Sequence, residues 1–183
     1  MDSDTLYVGI DPSLTCTAMV CLPGDGPDIW KLAKGDLITR IMQYSAWVLG
    51  TVCDRSNGAR EWVIAIEKPG GQLRGNAAWL LPLYADIVRQ FIYRHRVIVY
   101  PVAPATLKKF ATGSGRAEKS MMGQAVQRHW GDELPDGLLG NDAIDAFALA
   151  KLAQCIGNPA GDWTGYQQEI AVKQQRYQVE EVA

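Results

Sequence analysis

With 183 residues, 48% hydrophobic and 21% charged, the chain is long enough for one large core but short for two, and its composition excludes extended disorder. The formal net charge of −2 excludes a uniformly basic polyanion binder, and no apolar run approaches the ~20 residues of a membrane span. The opening MDSDTLYVGI places acids where a secretory signal carries positive charge, so the expectation is a cytoplasmic protein, bacterial or viral within a host cytoplasm, with no membrane partner.

Leu6-Tyr7-Val8-Gly9-Ile10 is a short apolar run broken by Asp11-Pro12-Ser13, and Thr15 to Leu22 is a second strand. The turn Pro23-Gly24-Asp25-Gly26-Pro27 joins it to a third strand over Asp28 to Lys34. From Ile38 to Cys53 the period becomes helical, with Ile41, Met42, Ser45, Val48, Leu49 and Val52 on one stripe. Glu61 to Ile66 is a buried strand ending on Glu67 before Lys68-Pro69-Gly70-Gly71. A second helix spans about Asn76 to Arg94, and Pro82 within it is expected to kink or restart it. Arg96 to Tyr100 is a fifth strand. Helices follow over Pro104 to Ala111, Glu118 to Trp130 and Asn141 to Ile156, with a loop over Gly131 to Gly140. Residues 1–156 form one domain, and 157–183 form a polar stretch that is either a docked helix or a loose tail. This order describes an α/β fold, a mixed sheet with helices on both faces.

The cysteines Cys16, Cys21, Cys53 and Cys155 lack CxxC spacing and read as buried, reduced thiols. His95 and His129 are isolated and read as surface or satisfied core residues instead of ligands. Charge is segregated. From Lys68 to Lys119 there are nine Lys and Arg against Asp86 and Glu118, a net +7, which leaves −9 for the remainder. A basic middle in an acidic chain hints at a polyanionic partner, and a solvated helix face explains it equally well.

Four carboxylates hold the chemistry. Asp11 and Glu67 each terminate an apolar strand, and Asp142 and Asp145 stand three apart at the start of an apolar helix, on one helix face. Each alone has a structural explanation: a turn residue, a strand-end charge, or an acid favoured by the helix dipole. Asp145 resists such an explanation, because Ala143, Ile144, Ala146, Phe147 and Ala148 surround it with apolar neighbours. Together the four suit phosphodiester hydrolysis. Two divalent ions about 3.5–4 Å apart activate water and stabilise a leaving alkoxide, and magnesium takes hard oxygen ligands. Carboxylates that close repel one another without cations among them.

These segments resemble the RuvC family of crossover junction endonucleases over roughly residues 6 to 155. Val8-Gly9-Ile10-Asp11-Pro12-Ser13 is similar to the family's first catalytic strand, and Ala65-Ile66-Glu67 to its second. Lys108 and Gly115-Arg116-Ala117-Glu118-Lys119-Ser120 resemble its basic segment, and Asn141 to Ala150 its closing helix. The resemblance implies an RNase H-like fold with a mixed five-stranded sheet and a nuclease that nicks Holliday junctions or related branched DNA. Asp11, Glu67, Asp142 and Asp145 would hold two Mg2+ ions per site, with Mn2+ as a substitute. Lys108 and Lys119 would act near the scissile phosphate. Lys68, Arg74, Arg89, Lys109 and Arg116 would contact the DNA backbone. A homodimer is implied, because two strands must be nicked at symmetric points. Trp79, Leu80, Leu83, Tyr84 and Ile87 offer either its interface or core. Ser13 stands where the family has glycine, and no aromatic follows Glu67. The remaining alternatives are a nuclease for flaps or RNA–DNA hybrids, a non-catalytic junction-binding module, and a sugar-kinase or actin-like ATPase. The last wants a glycine in the first turn, where this chain has Pro12-Ser13-Leu14-Thr15.

Overall fold

The computed structural model describes residues 4–13, 16–31, 35–70, 80–92, 94, 96–134 and 140–176. Five strands form one sheet in the order β3-β2-β1-β4-β5: β1 (Thr5–Asp11), β2 (Cys16–Leu22), β3 (Pro27–Lys31), β4 (Glu61–Glu67) and β5 (Val97–Val102). The tight connections make β1, β2 and β3 an antiparallel meander. The long crossovers make β4 parallel to β1, and β5 parallel to β4. The third strand stops at Lys31, and positions 32–34, which the sequence assigns to it, lie outside the described residues.

Strand alternation builds two core layers. Leu6, Val8, Ile10, Met19, Cys21, Ile64 and Ile66 face one side, where α1 (Leu37–Arg55) and α2 (Leu80–Ile92) cover them. Ala18, Val20, Leu22, Val63 and Ala65 face the other, under α3 (Pro104–Thr112), α4 (Lys119–Trp130), α5 (Asn141–Gly157) and α6 (Gly165–Val172). The mixed sheet with helices on both faces is the predicted architecture.

Local sequence explains the ends. Asp36 caps α1 by accepting from the Thr39 amide at 3.0 Å. Pro104 opens α3, and Gly113 closes it with a φ of 81° that glycine adopts without strain. Pro82 is the third residue of α2 as described, Leu80–Ile92. Positions 76–79 of the expected helix, Trp79 among them, lie outside the described residues.

Beyond residue 156 the chain contributes α6, whose Ile170 and Ala171 are buried in the α3–α5 layer. Its capping box joins the Thr164 amide to Gln167 Oε1 at 3.0 Å. His129 is satisfied by the Tyr166 hydroxyl at 3.0 Å, and His95 lies outside the described residues. All four cysteines are free thiols, and Cys21 and Cys155 are buried. Cys53, expected inside, is exposed, because it falls one position beyond the Tyr44-Ser45-Val48-Val52 stripe that α1 buries.

Candidate active site

Register and alternation place the first two carboxylates. Ile10 pairs with Ile66 across the parallel β1–β4 ladder, so Asp11 and Glu67 end adjacent strands side by side. Ile10 and Ile66 point into the α1–α2 layer, and the period of two turns Asp11 and Glu67 to the opposite face, toward α5.

Helix α5 supplies the other two. It lies antiparallel to β1 at very close range. A Cβ at Gly9 would stand 2.0 Å from the Ala146 carbonyl oxygen and 2.3 Å from the Ala150 amide. Near the other end of the helix, a Cβ at Gly157 would meet Tyr7 Cε1 at 2.6 Å. Tyr7, Gly9 and Asp11 thus climb β1 as α5 descends from its far end to its first two turns. Those turns carry Asp142 and Asp145. Only glycine in mid-strand permits this approach.

The result is a cleft of about 310 Å³ lined by Asp11, Ser13, Glu67, Asp142, Asp145, Lys108, Lys119 and the apolar Pro104, Leu107 and Met122. All four acids are half-buried, as is Lys108, while Lys119 is exposed at the first residue of α4. Crowding shows in the acids' protonation. Burial first, then the charges of Glu67, Asp145 and Asp142, push the Asp11 carboxyl up to about 8, and Lys119 opposes them. Glu67 is raised to about 7 by burial and by Asp145, against the pull of Lys119 and Lys108. Asp145 is raised to about 6 by burial and, secondarily, by Asp142, with both lysines again opposing. These three acids sit at the C-terminal strand ends and facing helix, where α/β sheets gather functional groups.

The donor set fits a divalent ion. Four carboxylates against two ammonium groups leave negative charge in one cleft, all in hard oxygen donors. The acids do not form a closed cage: among the described residues no three His, Cys, Asp or Glu converge tightly enough to grip a bare ion.

The remaining cations divide. Lys68 is exposed just past Glu67, and its amide donates to the Val102 carbonyl at 2.9 Å. Lys109 and Arg116 are exposed on α3 and in the turn that follows it, outside the cleft lining. Arg74 lies outside the described residues. Arg89 is held by Asp86 at 2.8 Å on the last turns of α2 and belongs to a surface ion pair. Leu83 and Ile87 are buried in the core, and Leu80 and Tyr84 pack against it. The sequence reading missed Gly9, although an isolated glycine inside a strand pattern is itself a signal of close backbone approach.

No family model matches the chain. It is 32% identical over 154 residues, 80% of its length and 76% of the relative's, to a crossover junction endodeoxyribonuclease RuvC from Cutibacterium acnes. Its fold is similar to that of Thermus thermophilus RuvC, with a TM-score of 0.57 at 21% identity over 79% of this chain and 90% of that one. A second Thermus thermophilus structure, RuvC in complex with Holliday junction substrate, matches with a TM-score of 0.58 at the same identity and coverage.

Proposed function

The chain belongs to the RuvC family of crossover junction endodeoxyribonucleases, and from that premise we propose that it nicks Holliday junctions by metal-dependent phosphodiester hydrolysis. The observation that carries this reading is the single cleft in which Asp11, Glu67, Asp142 and Asp145 meet Lys108 and Lys119. Asp11, Glu67 and Asp145, with Asp142 at the helix start, would hold two Mg2+ ions, for which Mn2+ would substitute. Such ions, when bound, supply a water that is nucleophilic near neutral pH and a stabilised leaving oxygen. The protein's own groups do the rest. Lys119 and Lys108 oppose the negative charge that grows on the phosphate during attack. Pro104, Leu107 and Met122 give the cleft a partly apolar wall that strengthens those charges' hold. Lys68, Lys109 and Arg116, all exposed, suit backbone contacts that fix register without reading sequence.

A twofold dimer suits a substrate that must be cut at two symmetric points. The apolar residues of α2 are largely used within its own core. Ile38, Met42 and Leu81, exposed by 70, 64 and 52% on the first turns of α1 and α2, are the better contact surface for a second copy. Leu81→Glu with Ile38→Glu should turn the dimer into a monomer in sedimentation equilibrium.

The test of the activity is a labelled four-way junction, a flap, a duplex and an RNA–DNA hybrid, each incubated with protein with and without magnesium. Paired, symmetric, magnesium-dependent nicks in the junction are expected. Preferential cutting of the flap or hybrid, or binding of the junction without any cut, would overturn the proposal.

A further inference from the structure

Thr17 is fully buried, 0% exposed, in the otherwise apolar β2 sequence Cys16-Thr17-Ala18-Met19-Val20-Cys21-Leu22. Valine has the same shape and suits a strand equally well. A buried hydroxyl costs stability unless it is hydrogen-bonded, and this one is bonded to the Ser13 backbone. The Ser13 amide donates to Thr17 Oγ1 at 2.9 Å, and the Thr17 hydroxyl donates in turn to the Ser13 carbonyl at 3.4 Å.

Ser13 lies where the sheet can no longer hold the chain. The β1–β2 ladder ends with Asp11 opposite Ala18. One step further, the same register would set Pro12 opposite Thr17, and proline has no N–H with which to extend a ladder. The Thr17 side chain takes over, reaching past Pro12 to Ser13. The turn Asp11-Pro12-Ser13 is therefore tied at both ends to two consecutive residues of β2: Asp11 by the ladder, Ser13 by the threonine hydroxyl. Between them the ring of Pro12 fixes its own φ. Both tied residues line the cleft that holds Glu67, Asp142 and Asp145.

We propose that Thr17 is a positioning residue: its hydroxyl, bonded to the Ser13 backbone from within the sheet, fixes the Asp11–Ser13 turn that forms one wall of the cleft. The inference rests on the metal-dependent reading of that cleft and adds to it a residue that touches neither metal nor DNA. Thr17 acts through Ser13. Loss of an outer partner that holds a site in place commonly costs about tenfold or more in metal affinity or activity.

Thr17→Val and Thr17→Ser test this in the full chain, with Mn2+ and a labelled four-way junction as probes. Valine keeps the shape and removes the hydroxyl, whereas serine keeps the hydroxyl and removes a methyl. All measurements are made well below both melting transitions, so that loss of fold contributes nothing. Thr17→Val should lower single-turnover cutting and Mn2+ affinity, the latter read by calorimetry, each by about tenfold. Its junction affinity in a chelator should equal the parent's. Thr17→Ser should melt below the parent for want of a buried methyl, yet cut and bind Mn2+ as the parent does. A folded Thr17→Val with parental cutting and parental Mn2+ affinity overturns the inference. Equal losses in both variants also overturn it, because the turn would then need threonine's packing instead of its hydroxyl. If the valine variant does not fold, serine decides: parental Mn2+ affinity despite a lower melting temperature supports the inference, and a loss of about tenfold overturns it. A parent that neither cuts the junction nor binds Mn2+ sinks the reading of the cleft first. If the parent does both and Thr17→Val does too, only the Thr17 inference fails.

Discussion

At the level of single residues, the crowded acids make the metal-free protein sensitive to pH in an uncommon direction. Asp11, Glu67 and Asp145 keep their protons up to about 8, 7 and 6 when folded, whereas in an unfolded chain they release them near pH 4. Between those limits the folded chain binds more protons than the unfolded one, so stability falls as pH rises from about 4 to about 8. Thermal melts in a chelator should therefore drop by several degrees between about pH 5 and pH 8.5. Asp11→Asn should remove the largest share of the slope, and a flat profile would mean that neither burial nor the neighbouring charges raise these acids. Lys119 restrains all three acids. Lys119→Ala should slow junction cutting by about a hundredfold while changing junction affinity less than about threefold, since one exposed phosphate contact contributes little to binding. It should also raise the magnesium needed for half-maximal cutting more at pH 7 than at pH 8.5, because the acids would then hold their protons more tightly. Equal losses in rate and affinity would reassign Lys119 to anchoring DNA. Asp145→Asn should abolish cutting and preserve junction binding, as measured by gel shift in a chelator.

Among the elements, α5 against β1 decides whether the site exists. With the Ala146 carbonyl and the Ala150 amide where a Gly9 side chain would be, Gly9→Ala must push the helix outward. Overpacking of this kind costs about 1–3 kcal/mol, readable in urea denaturation, and it carries Asp142 and Asp145 away from Asp11. Cutting should fall much further than stability does. Normal cutting by Gly9→Ala would show that the helix contact does not set the carboxylate geometry. Much of this was readable from residue order alone. Asp11 before Pro12 and Glu67 before Pro69 mark strand ends, and the i, i+3 spacing of Asp142 and Asp145 marks one helix face. The depth at which α5 sits was not readable, because it depends on two elements well over a hundred residues apart.

Across the whole molecule, the last described segment belongs to the same folding unit as the cleft. Helix α6 buries Ile170 and Ala171, each 6% exposed, in the layer that holds α3, α4 and α5. Ending the chain at Ile156 should cost about 3 kcal/mol in denaturant unfolding, the scale of two apolar side chains returned to water with their neighbours, and unchanged stability would show the helix to be dispensable. The stretch from Lys68 to Lys119 carries a net +7, a charge balance that suits attraction of a polyanion. Helix α5, with Ala143, Phe147, Leu149, Lys151 and Leu152 all buried, is enclosed on nearly every side. A helix so enclosed along its length ties the two aspartates at its start to the packing of the whole layer. Under rising urea, nicking and helical ellipticity should vanish together, which would make enzymatic output a direct gauge of intact tertiary structure.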